Sequence, residues 1–218
     1  MKQYFSFFLI CVLLFLTSCT NFLSKSFLPT PSTTQPENPR IILALDSLTA
    51  GNGVEREFNY PNQLEYLLQE DGYNYTVVNA GVSGDTSLQV LDRVPLYVDL
   101  NPDIVILVVG GNDGLQTLNI EDMKKNILQI IDSFPDAKMV LGGIEVPENL
   151  GSYVEIFQNA YKEIAQARPE VYFQPSFLGE VAGSIELNQS DRVHPTADYT
   201  KIALKMFEFL QKNSLITQ

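Results

Sequence analysis

The sequence predicts an α/β protein, a three-layer α/β/α sandwich with a five-stranded parallel sheet at its centre. Three observations carry this. Apolar runs of strand length alternate with longer stretches whose apolar residues recur three and four positions apart, the alternation that builds parallel sheets flanked by helices. One run, 103–109 (DIVILVV), is apolar without a break, the pattern of a strand covered on both faces. Several runs also stop abruptly in turns rich in Gly, Asn, Asp and Ser, and in open α/β sheets reactive groups collect beyond the carboxyl ends of the strands.

Taken in order, the first strand lies in 41–51 (IILALDSLTAG), an apolar run that breaks at Asp46-Ser47. A helix is expected over 61–69, with Pro61 at its start and Leu64, Leu67 and Leu68 on one face. A second strand over 75–82 ends in the turn Ser83-Gly84-Asp85. Residues 86–98 read as helical, with Pro95 disturbing the second half. The third strand, 103–109, breaks at Gly110-Gly111-Asn112-Asp113, and 114–119 follows as a loop. An amphipathic helix occupies 120–134, and a fourth strand occupies 138–146 with a Gly142-Gly143 interruption. Tyr153, Ile156, Phe157, Ala160, Tyr161 and Ile164 form a helical stripe, 171–175 a short fifth strand, and Tyr199 to Leu210 the last stripe. These aromatic stripes are core faces.

The chain of 218 residues, with 45% hydrophobic and 18% charged residues, holds one globular domain with a sizeable core. Its net charge of −12 opposes nucleic-acid and anionic-surface partners, and no basic stripe or zinc spacing is present. Lys2 precedes an apolar run over 4–16, shorter than the roughly 20 residues a spanning helix needs. That run ends in Leu16-Thr17-Ser18-Cys19, which resembles a bacterial lipoprotein cleavage box. The expectation is a signal peptide over 1–18 and lipidation of Cys19; an ordinary signal peptide cut elsewhere, or an uncleaved anchor, is the alternative. Cys11 falls inside the signal, so no pair remains for a disulfide. Residues 19–39 are Pro-, Ser- and Thr-rich and form a tether; the catalytic domain is expected over 40–218. Thr20, where an inner-membrane lipoprotein commonly carries Asp, points faintly to an outer membrane.

The candidate chemistry is nucleophilic catalysis at a serine, which needs a base, a group to orient that base, and donors for the oxyanion. His194 is the only histidine, so any imidazole chemistry happens there. Asp191, three residues earlier in Asp191-Arg192-Val193-His194-Pro195, is spaced to reach Nδ1–H and leave Nε2 free for the Ser47 proton. Singly, each residue has a structural account. A histidine before proline can be merely exposed, and Gly84 and Asn112 are ordinary turn residues. Their joint occurrence is what points to catalysis.

Asp46-Ser47-Leu48, Asn79-Ala80-Gly81-Val82-Ser83-Gly84-Asp85-Thr86-Ser87, Gly110-Gly111-Asn112-Asp113 and Asp191-x-x-His194-Pro195 resemble, in order, the four blocks of the SGNH (GDSL) hydrolases. Pro147-x-Asn149-x-Gly151-x-x-Tyr153 resembles their acyl-CoA thioesterase I, lysophospholipase and arylesterase branch. The resemblance implies a flavodoxin-like fold, Ser47 as nucleophile, His194 as general base and then acid, and Asp191 as its orienting partner. It also implies an oxyanion hole from the N–H groups of Ser47 and Gly84 and the Asn112 amide, with no metal or organic cofactor. Leu115 and Leu118 would touch an acyl chain; the alternative is that they only seat their loop. Leu45 stands where the family usually has glycine, by substitution or by a one-residue shortening of the strand; if that position needs a positive φ, Leu is expected to cost on the order of 1–3 kcal/mol. No G-x-S-x-G elbow is present. The expected protein is a monomeric, exported, lipid-anchored serine esterase acting on small acyl esters, lysophospholipids or thioesters. A carbohydrate O-acetylesterase and a non-catalytic envelope lipoprotein are the competing readings.

Overall fold

The computed structural model describes residues 40–45, 49–51, 53–181 and 199–218, all within one compact unit, Asn38–Gln218. Five strands form a single parallel sheet in the order β2-β1-β3-β4-β5: β1 (Arg40–Leu45), β2 (Tyr75–Asn79), β3 (Ile104–Leu107), β4 (Lys138–Gly142) and β5 (Tyr172–Gln174). The helices are α1 (Tyr60–Glu70), α2 (Ser87–Arg93), α3 (Gly111–Leu115), α4 (Ile120–Asp132), α5 (Ser152–Ala167) and α6 (Tyr199–Lys212). α1 packs on α6 over one face of the sheet, and α4 packs between α2 and α5 over the other.

This is the expected sandwich, and its centre is legible in burial. Every residue of β3, and Ile42 to Leu45 of β1, is fully buried, which explains the unbroken apolar runs. The chain steps outward from β1 to β2, then crosses back over β1 to β3. The strand order therefore reverses between β1 and β3, and the crevice beyond their carboxyl ends is where open α/β sheets bind ligands.

Several elements are shorter than the apolar pattern suggests, for physical reasons. β2 is an edge strand whose ladder closes with Ala80 N–H donating to Ala44 O. Beyond it, Asn79 turns its amide to the loops, accepting from Gly81 N–H and donating to Thr49 O. β4 closes at Gly142; Gly143 still donates to Gln174 O, and it lies so close to the residue after β5 that a Cβ there would be 2.4 Å from Pro175 O. The stretch 86–98 is not one helix. α2 ends at Arg93, and Pro95, which has no N–H to donate, sits in the first of two 3-10 turns, Val94–Leu96 and Val98–Leu100.

Leu45 resolves the question raised by its sequence position. It is the last residue of β1, fully buried, paired with Leu107 and outside the positive-φ residues, so it carries no left-handed strain.

Candidate active site

The loops after β2 and β3 bring the second and third predicted blocks together, and the described part of the site is built on these two. Ser47, Asp191, His194 and Cys19 lie outside the described residues. The chain is nonetheless anchored on both sides of Ser47. Leu45 is fixed in the sheet, and Thr49 is fully buried with its hydroxyl 3.0 Å from that of Tyr60 and its carbonyl accepting from Asn79.

Gly84 occupies the turn after β2 at φ +89°, a conformation that L side chains rarely adopt. A Cβ there would meet no described residue within 4 Å. No described residue accepts a hydrogen bond from Gly84 N–H, which leaves it available as a donor. The next residue, Asp85, is held by Arg93: Nε and Nη2 donate to its carboxylate at 2.8 and 2.5 Å, while Nη1 donates to Ala80 O at 3.1 Å. Both partners of this pair are mostly buried, and the fork geometry of the guanidinium fixes the turn to the first helix after it.

After β3 the chain turns at Gly110, φ +110°, where a Cβ would collide with the Tyr161 hydroxyl and the Met123 sulfur. Tyr161 instead donates to Val109 O at 2.8 Å. The sequence GNDGL then forms the single-turn helix α3, where the sequence suggested a turn at 110–113 running into a loop from Gly114. It projects Asn112, whose Nδ2 donates to Asp85 O at 3.0 Å. A backbone carbonyl only accepts, so this hydrogen bond fixes which end of the amide is nitrogen. One N–H orients the side chain and the second remains.

Asp113 is 3% exposed, and its carboxylate accepts from Ser87 N–H at 2.7 Å and Ser87 Oγ–H at 2.5 Å. Asn126 of α4 donates to that same hydroxyl at 3.0 Å. Sequence reasoning missed Asp113, Ser87, Arg93 and Asn126, because nothing in spacing predicts which polar groups of different loops will pair. Leu115 and Leu118 are 39% and 40% exposed, so they do not seat the loop by burying themselves. That loop is held by its backbone, with Leu118 N–H donating to Asp113 O, and by the Tyr153 hydroxyl donating to Leu118 O at 3.0 Å. Burial, with the nearby charge of Asp113 adding to it, raises the Tyr153 pKa above its ordinary value, so the hydroxyl stays a donor into the alkaline range. Val82 and Leu88, beside the Gly84 turn in sequence, are also exposed apolar residues.

Gly84 N–H and the second Asn112 N–H are thus two donors on the loops after β2 and β3, the strands on either side of β1, which leads to Ser47. The chain is similar in sequence and fold to known proteins. A family model described as GDSL-like Lipase/Acylhydrolase matches residues 46–201. Esterase TesA of Pseudomonas aeruginosa is 34% identical over 167 residues, covering 75% of this chain and 83% of the relative. Thioesterase 1/protease 1/lysophospholipase L1 of Escherichia coli is 33% identical over 162 residues, covering 72% and 76%. A crystal structure of TesA superposes with a TM-score of 0.75 at 32% identity, covering 79% of this chain and 99% of that one. By its motifs, its strand order and these relatives, the chain belongs to the GDSL-like lipase/acylhydrolase family.

Proposed function

We propose that Ser47, deprotonated by His194, attacks the carbonyl carbon of acyl esters and thioesters, and that Asp191 holds the imidazole. As a member of this family the protein is a serine ester hydrolase of the SGNH type. In the first half-reaction the serine oxygen bonds to the carbonyl carbon while its proton passes to His194 Nε2. The tetrahedral oxyanion is stabilised by the N–H groups of Ser47 and Gly84 and the second N–H of Asn112. Collapse expels the alcohol or thiol, which takes the proton from His194. Water, deprotonated by the same imidazole, then releases the acid from acyl-Ser47.

The observation that carries this reading is the orientation of Asn112. Its amide nitrogen is turned toward the Gly84–Asp85 turn by the Asp85 carbonyl, beside a Gly84 N–H with no acceptor among the described residues. Preset donors of this kind cost no reorganisation when charge develops. A fluorophosphonate probe tests the assignment: the mass shift is expected on the peptide containing Ser47, and a label elsewhere, or none, overturns it. The alternatives of carbohydrate deacetylation and non-catalytic binding are not favoured by the relatives named above.

For the substrate, the names of the relatives support acyl esters, acyl thioesters and lysophospholipids as the class. The exposed Leu115 and Leu118, close to Asn112 in sequence, supply an apolar surface for the acyl chain. Leu115→Ala and Leu118→Ala are each expected to lower kcat/KM several-fold for octanoyl esters and little for acetyl esters, at about 0.8 kcal/mol for each methylene of the acyl chain left in water. An unchanged chain-length profile in both variants removes these residues from the site.

The Leu16-Thr17-Ser18-Cys19 box supports export and a lipid anchor at Cys19, with the domain held at a membrane surface by the residue 19–39 tether. Cys19→Ser is expected to move the protein from the membrane pellet to the soluble fraction. Retention in the pellet argues for an uncleaved N-terminal anchor.

A further inference from the structure

We infer that Asp113 is a positioning residue for the oxyanion hole, acting through Ser87 to hold the two donor loops in register. The inference rests on Gly84 and Asn112 being the donors. The geometry behind it is a double bridge. Residues 85–87 and residues 112–113 are joined once by Asn112 Nδ2–H to Asp85 O, and again by both oxygens of the Asp113 carboxylate to Ser87. Gly84 precedes the first of these segments and Asn112 lies in the second. Any shift of α3 relative to the 85–87 segment therefore changes the spacing between the two donors.

The choice of residue types fits this task. Ser87 N–H is the first donor of α2, one of the orphan N–H groups at a helix start. The cap itself is occupied otherwise, with Thr86 N–H and Oγ1 both bonded to the Gln89 side chain. A carboxylate from another loop supplies what the helix lacks, and its charge suits the positive end of the helix. Both carboxylate oxygens are used on one residue, which fixes direction as well as distance, and the Ser87 hydroxyl is itself directed by Asn126 from α4. Asp113 and Ser87 are buried, so neither is placed to touch a substrate. Alanine at position 113 removes both acceptors, whereas asparagine keeps a two-point contact by accepting from Ser87 N–H through Oδ1 and donating through Nδ2 to a rotated Ser87 hydroxyl.

The test is a double-mutant cycle on short p-nitrophenyl ester hydrolysis by the full chain, with urea unfolding of each variant as a fold control. Asp113→Ala is expected to lower kcat about 10- to 100-fold, the scale on which displacement of a catalytic group by about an ångström acts. KM is expected to change little. In the Asn112→Ala background the same substitution is expected to cost only a few-fold, because the donor it places is already gone. Ser87→Ala, which keeps the backbone bond and loses the hydroxyl bond, is expected to fall between wild type and Asp113→Ala; it carries the test should Asp113→Ala fail to fold. An unchanged kcat in folded Ser87→Ala and Asp113→Ala overturns the inference and leaves the oxyanion assignment standing. A full, additive loss in the Asn112→Ala background also overturns it, since Asp113 then acts elsewhere. An Asn112→Ala protein with wild-type kcat overturns both.

Discussion

Alanine at Ser47 or at His194 is expected to lower kcat for a short p-nitrophenyl ester by on the order of a million-fold, the loss seen when the nucleophile or base of a serine hydrolase is removed. The size follows from the chemistry. A serine hydroxyl at neutral pH is a poor nucleophile, and the step needs its proton accepted as the bond to carbon forms. The chain contains one histidine, so no second imidazole can take over the role of His194. The two substitutions are also expected to be non-additive. Once either partner is gone the other has nothing to act on, so the double variant should be no slower than the worse single one. Steady-state kinetics on all three proteins, with thermal unfolding to confirm that the core of β1 and β3 is intact, checks this. Substantial turnover by Ser47→Ala removes that serine as the nucleophile. A double variant much slower than either single one means that the two residues do not act as a unit.

The second large effect is expected at Asn112. Asn112→Ala should reduce kcat about 100- to 1,000-fold, equivalent to roughly 2.7–4 kcal/mol of transition-state stabilisation, with KM nearly unchanged. The split between kcat and KM is the informative part. A donor aimed at the oxyanion interacts more strongly with the tetrahedral oxygen than with a ground-state carbonyl, so its removal appears in the chemical step. Affinity for a phosphonate that mimics the tetrahedral state should fall in parallel with kcat. Asn112→Asp should be at least as damaging, because a carboxylate faces the oxyanion with like charge and cannot donate to Asp85 O. A rise in KM with kcat preserved would instead place Asn112 in ground-state substrate binding.

The fold was legible because its evidence is repetitive. The strands β1 and β3 are covered on both faces, and a long apolar run records that directly. The stripes of α4, α5 and α6 repeat three and four residues apart, and their apolar members are mostly buried as the period requires, though Ile156 is exposed. The boundaries were less legible because they depend on neighbours. β2 ends just before Ala80 makes the last bond to β1, and Gly143, just past the end of β4, approaches the carbonyl of Pro175. Neither event leaves a mark in the local pattern. The split of residues 86–98 was half visible, since Pro95 was seen as a disturbance but not as the start of separate 3-10 turns.

The sequence by itself determined the family, the alternation of strand and helix, and the residue types the chemistry needs, because each of these is a property of local order and spacing. Only the tertiary structure decided that GNDGL is a helical turn, that Leu45 is an unstrained core residue, and that Leu115 and Leu118 are exposed. It alone paired Asn112 with Asp85, and Asp113 with Ser87, across 27 and 26 positions of chain. Such pairings join loops whose separation in sequence carries no period. They are set by where the strands of the sheet come to an end, which no single segment encodes.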